Sequence, residues 1–295
     1  DALFHLNPAL KSLAALYTDR NALIVHAAAT PYRERSHFDG QEILESGLPT
    51  AAHPDTGWLN RALQQISAQA GSNAAVPREL GLSVGPMVPL VMRGPAPVLS
   101  WSPQHLAQAA DDTAARLLAL YDARDPLLAD ALRRGIATAK DNKSLDQTLV
   151  NRGAGGQAVL AIAEGAARFL SKPDGPRYGA LSIDGWDTHA DERPGTGRLG
   201  QLLGTLDRLI DGLHAGLKPV WKDTVVAVVT EFGRTVRING TAGTDHGTAT
   251  TAFLLGGAVK GGRVLADWPG LGDAALHEGR DLKPTTDLRA ILKGV

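Results

Sequence analysis

The chain has 295 residues, 43% hydrophobic and 21% charged, with a net charge of −1 and a pI near 6.8. That is enough apolar material for a sizeable core, and the near-neutral balance argues against a dedicated nucleic-acid surface. No apolar run reaches spanning length, and the absence of cysteine removes disulfides, thiolate catalysis and zinc–thiolate sites together.

Pro8 to Leu16 reads as a short amphipathic helix, and Ala22 to Ala27 as a strand that Thr30-Pro31 breaks. Ser36-His37-Phe38 opens a helix that runs through Glu45 and stops at Gly47. Ser36 has N-cap chemistry there, with Asp39 three residues on as a capping-box partner. A further helix is predicted from Gly57-Trp58 through Ala70. Residues 71–103 are rich in Gly, Pro and Ser, with extended pieces at Leu90-Val91-Met92 and Val98-Leu99. Helical stretches at 105–122, 126–139 and 145–170 form a block near 104–170, read as an insertion in one domain spanning 1–295. From Tyr178 strands and helices alternate again. Gly197 to Leu217 is a helix with leucines on one stripe, 224–230 reads as a buried strand, and 251–255 as another. The alternation argues for an α/β fold with a mostly parallel sheet. Both ends read as incomplete, since Asp1 is not a Met and Ala290 to Val295 looks like a helix cut midway.

Two strand ends deliver acids and histidines on glycine-loosened backbone. The 224–230 run leads into Thr230-Glu231-Phe232-Gly233-Arg234, and then Gly243-Thr244-Asp245-His246-Gly247. Leu181-Ser182-Ile183 leads into Asp184-Gly185-Trp186-Asp187-Thr188-His189. In open α/β sheets, sites form at the carboxyl ends of strands. Carboxylates with imidazoles there suit a borderline or hard divalent ion. Asp187 and His189 face one way if extended; the plainer alternative is a turn with His189 in solvent. His246 is a ligand or an exposed residue beside an Asx turn, and Asp245 suits orienting an imidazole. Glu231 is a ligand or the salt-bridge partner of Arg234, whose planar fork also matches a phosphate or sulfate. Ser36 sits where a helix dipole favours an anion, or simply caps that helix. Gly153-Ala154-Gly155-Gly156 lies among helical residues and is weak as a phosphate loop.

Arg35-Ser36-His37-Phe38, Thr56-Gly57-Trp58-Leu59, Gly185-Trp186-Asp187-Thr188-His189 and the two motifs at 231–234 and 243–247 resemble the DUF1501 family. So do the Leu255 to Gly262 run and the closing Pro284-Thr285-Thr286-Asp287, all in the family's order. That bacterial family is grouped with the alkaline-phosphatase-like superfamily, which also holds sulfatases and cofactor-independent phosphoglycerate mutases. The resemblance implies a three-layer α/β sandwich with a mostly parallel central sheet and paired metals at the strand ends. It implies a metal-dependent hydrolase or transferase acting on a small-molecule phosphate or sulfate ester, exported to the periplasm or beyond on a twin-arginine signal. In those terms Ser36 is the nucleophile, and Asp187, His189 and His246 hold the ion. Glu231 and Asp245 touch the ion or its ligands, Arg234 steadies charge on the equatorial oxygens, and His37 and Arg35 meet the substrate. Zinc, manganese, iron, calcium and magnesium all remain open. One departure stands out. The chain lacks the family's early Asp-Gly-Gly-Asn-Asp type motif, so only part of a two-metal site can be assembled from it. Two alternatives therefore stand: a non-catalytic member binding a ligand or partner at the cell surface, and a single-metal hydrolase using water, with Ser36 only a cap.

Overall fold

The computed structural model describes residues 4–71, 77–102, 111–137, 156–193, 195 and 197–295. The first half carries α1 (Lys11–Thr18), β1 (Ala22–Ala29), α2 (His37–Ser46), α3 (Trp58–Ala70), β2 (Gly81–Val84), β3 (Val98–Trp101) and α4 (Asp111–Arg124). Then come α5 (Gly156–Leu170), β4 (Tyr178–Leu181), α6 (Arg198–Gly216), β5 (Val226–Val228) and β6 (Thr250–Leu255). The chain closes with β7 (Arg263–Leu265), β8 (Thr286–Asp287) and α7 (Leu288–Lys293).

The strands form two sheets. The larger has the order β5-β6-β1-β7, with β8 also paired to β1. The smaller has the order β3-β2-β4 and is parallel throughout. The mostly parallel central sheet predicted above is overturned: β6 runs antiparallel to β1 and to β5, while β7 and β8 run parallel to β1. The connection gives the reason. Residues 229–249 join β5 to β6 without a helix, and parallel neighbours need a long crossover that is usually helical. The chain is α/β, with a mixed sheet and a separate small parallel one, and the three-layer sandwich on a single parallel sheet is corrected accordingly.

Other expectations shift locally. Leu90-Val91-Met92, read as extended, is a 3-10 turn, and Gly81–Val84 is a buried strand that the sequence reading passed over. Strand β5, read as buried, is only partly so, with Ala227 exposed. Among the described residues it is the edge of its sheet, with β6 its one neighbouring strand. Within the predicted helical block, α4, residues 126–137 and α5 are helical. Residues 104–110 and 138–155 of that block, with Gly153 to Gly155, lie outside the described residues. No helix among the described residues is long and apolar enough to cross a membrane.

Helix α6 joins the two sheets. Its Leu209 and Leu213 pack with Ala163, Ala166, Ala167 and Phe169 of α5 on Leu82, Val84 and Trp101 of the small sheet. Its Leu206 and Ile210 pack with Leu13 and Leu16 of α1 and Leu255 of β6. Two apolar flanks on one helix suit a position between layers. Asp207, buried on the same helix, accepts from the backbone N–H groups of Ser12 and Leu13 at 2.9 and 3.1 Å. It thereby supplies the cap that Leu10 cannot give α1.

Candidate metal centre

Strands β1 and β5 both oppose β6, so they point the same way and release their loops at the same end. The β1 loop hands the chain to α2, whose first residue is His37. The loop after β5 folds back on itself. The Gly233 N–H donates to Thr248 O at 2.8 Å, the Thr235 N–H donates to Asp245 O at 2.9 Å, and Arg234 lies opposite His246. The loop after β4 brings Asp187 and His189 against it. Two glycines permit this approach. A Cβ on Gly243 would stand 2.3 Å from the His189 carbonyl carbon, and one on Gly247 2.5 Å from that of Arg234.

Three imidazoles converge on one carboxylate. His246 Nε2 and His189 Nε2 each lie 2.8 Å from Asp187 Oδ1, and His37 Nε2 lies 3.4 Å from Asp187 Oδ2. His246 Nε2 is 3.1 Å from His37 Nε2 and 3.2 Å from His189 Nε2. Behind each ring its other nitrogen has a partner. His37 Nδ1 donates to Glu231 Oε1 at 2.7 Å, His189 Nδ1 to Asp245 Oδ1 at 3.2 Å, and His246 Nδ1 to the Arg35 carbonyl at 2.9 Å.

These back contacts decide the chemistry of the front. A carbonyl only accepts, so the His246 proton sits on Nδ1. The two carboxylates act the same way on His37 and His189. Glu231 is ionised below the usual range: burial opposes this, but hydrogen bonds from Thr230 and His37 outweigh it. Asp245 is held low chiefly by hydrogen bonds from His189 and Asn239. With every Nδ1 protonated, the Nε2 atoms turn lone pairs toward one another and toward Asp187. Arg234 Nη1 donates to that carboxylate at 2.9 Å. Lone pairs and a carboxylate facing inward at such distances call for a cation. His37, Asp187 and His246 form a group that could hold a metal ion, and His189 Nε2 stands beside it. Metal–nitrogen bonds of about 2.0–2.1 Å put neighbouring ligand atoms roughly 2.9–3.4 Å apart, between octahedral and tetrahedral arrangements. The two nitrogen separations at His246 fall in that span.

Each sequence candidate can now be placed. Asp187, His189 and His246 lie together. His37, expected to meet substrate, is in the ligand cluster itself. Glu231 and Asp245 stand behind His37 and His189, holding the rings. The alternative Glu231–Arg234 ion pair is not formed: Arg234 donates through Nη1 to Asp187 Oδ1 at 2.9 Å. Its Nε reaches Thr244 Oγ1, and its Nη2 reaches the carbonyls of Thr188 and Thr244. Arg234 therefore orients Asp187, and most of its donors are engaged. Ser36 takes the N-cap place of α2 in extended backbone, yet its side chain makes no capping bond.

Other parts of the site carried no sequence signal. Glu192 is buried and accepts from Thr188 Oγ1 at 2.6 Å and from Thr244 Oγ1 at 2.7 Å, tying the two ligand loops together. Asn239 Nδ2 donates to His189 O at 3.0 Å and to Asp245 Oδ1 at 3.2 Å. Both are polar residues in loops, and each reaches one partner far away in the chain, Glu192 across 52 residues to Thr244 and Asn239 across 50 to His189.

Residues 18–295 match the family described as Protein of unknown function (DUF1501). The chain belongs to the DUF1501 family. Nothing among the curated proteins or the solved structures matches it. The motifs quoted from this DUF1501 chain thus fall inside the matched span, and three of them, at residues 35–38, 185–189 and 243–247, build the cluster. A first test concerns the backing of His37. Glu231→Gln keeps the shape and weakens the acceptor, so metal affinity is expected to fall about 10- to 100-fold. Competition against a chromophoric chelator measures it; an unchanged affinity would show that Glu231 does not support His37.

Proposed function

We propose that this cluster holds a divalent ion and that the protein is a metal-dependent hydrolase or transferase of phosphate or sulfate esters. The observation that carries this reading is the inward turn of three Nε2 atoms around Asp187, each ring backed at Nδ1. His37, Asp187, His189 and His246 would hold the ion, with Glu231, Asp245 and the Arg35 carbonyl fixing the rings. Imidazole-rich sites favour zinc or iron over manganese, calcium and magnesium, which suit oxygen ligands better. When bound, the ion supplies Lewis acidity toward an ester oxygen.

The chain's own contribution beside it is Ser36. Its neighbours on both sides touch the cluster, Arg35 through its carbonyl and His37 through its ring. Its hydroxyl is not engaged in capping, and the N–H groups that open α2 favour an anionic group there. In this mechanism Ser36 Oγ attacks phosphorus or sulfur, the ester oxygen leaves, and water later releases the group from Ser36. Arg234 acts by holding Asp187. The family resemblance extends the reading to an exported protein.

One observation favours a second reading. His37, Asp187 and His246 could hold an ion between them, and if His189 joined them four protein donors would close the site, whereas catalytic zinc keeps a position open. A non-catalytic metal-bound member of the family would look the same. The deciding experiment loads the protein separately with zinc, manganese and iron and assays phosphate and sulfate esters before and after chelation. Turnover that stops on chelation and returns with the ion is expected. Stoichiometric metal without turnover of any ester would move the protein to the second reading.

A further inference from the structure

Resting on the metal centre proposed above, we infer that Asp281 is a positioning residue for His246, acting through Arg35. Three observations converge on it. Arg35 has a φ of 63°, in the left-handed region that a side chain with a Cβ rarely adopts. In that conformation its carbonyl accepts from His246 Nδ1 at 2.9 Å. Its guanidinium is pinned by Asp281, whose Oδ2 accepts from Nε at 2.9 Å and lies 2.8 Å from Nη2.

Asp281 has 0% exposure. A carboxylate so deeply buried is costly unless paired, and its Oδ1 has no hydrogen-bond partner. Its position is itself fixed by a tight turn: the His277 N–H donates to Asp281 O at 2.9 Å, and the Asp281 N–H donates to His277 O at 3.0 Å. The same turn reaches His246 a second way, since Arg280 Nη2 donates to the His246 carbonyl at 2.7 Å. Residues 277–281 thus hold His246 by its backbone directly and by its ring through Arg35. Strained backbone persists where its surroundings over-determine it, and it clusters at functional sites. Here the strained residue presents the one acceptor that keeps the His246 proton on Nδ1 and leaves Nε2 for the ion.

Three variants test this: Asp281→Asn, Arg35→Gly and the pair combined. Asp281→Asn removes the buried charge at Arg35 Nε and leaves the strained residue held at Nη2 by the exposed Glu278 alone, so metal affinity is expected to fall about tenfold or more. The absorption spectrum of the cobalt-loaded protein should change with it, reporting altered ligation. Arg35→Gly keeps the carbonyl and tolerates the positive φ, so it should lose less. Combined with Asp281→Asn, it should restore affinity toward the Arg35→Gly value. A merely structural role for Asp281 would lower the melting temperature but leave cobalt affinity and spectrum unchanged in the folded protein, and would overturn the inference. Poor folding of Asp281→Asn alone is covered by the double variant, in which failure to recover affinity also counts against it. His246→Ala serves as the control. Metal retained there would overturn the centre and this inference together. Metal lost there but normal in Asp281→Asn would overturn this inference alone.

Discussion

His37→Ala and His246→Ala are each expected to strip the protein of its metal, from near one equivalent per chain to background by elemental analysis. The loss should exceed the roughly 10- to 100-fold effect of removing a group behind a ligand, because a donor atom itself is gone. His246 is central: its Nε2 lies 3.1 and 3.2 Å from the other two imidazole nitrogens. His37 is the sharper test. If it only met substrate, as its place beside Ser36 suggests, His37→Ala would keep the metal and lose turnover. With Nδ1 tied to Glu231 and Nε2 turned to Asp187, it should lose both. Full metal content in either variant would sink the ligand assignment.

Ser36→Ala should have the second large effect, on rate rather than on metal. A nucleophile acting within a catalytic unit is worth roughly a thousandfold or more in kcat, while metal content should be unchanged. Stability separates the two roles of this serine. An N-cap serine replaced by alanine typically costs about 1 kcal/mol, but Ser36 makes no capping bond, so a smaller cost is expected. Urea unfolding and ester turnover on the same preparation settle the matter. Full activity with a clear loss of stability would return Ser36 to the cap role and leave water as the attacking group.

The chemistry of the site was legible where it sits in short motifs. Asp187, His189 and His246 were readable because acids and histidines followed apolar runs beside glycine. Their roles were less so. Nothing local separates a carboxylate that touches an ion from one that backs an imidazole, and Glu231 meets His37 across 194 residues of chain. The Arg35 carbonyl meets His246 across 211, through backbone that any residue type would supply. The sheet was misjudged for a related reason. An apolar run at 251–255 shows that a strand is present and is silent on its direction, which the helix-free return from β5 decides. Strands β7 and β8, of three and two residues, are too short to show a period at all.

The ties among the loops that carry the cluster are made by the chain's own side chains. Glu192 bridges Thr188 to Thr244, Asn239 bridges His189 to Asp245, and Arg234 bridges Thr188 to Thr244. In small metal-folded domains the apo chain is unfolded, and the affinity measured there is folding free energy under another name. This scaffold separates the two quantities. An ion should enter and leave a cradle that keeps its shape, exchange for cobalt without refolding, and bind with an affinity that reports the ligands and the groups behind them, not folding.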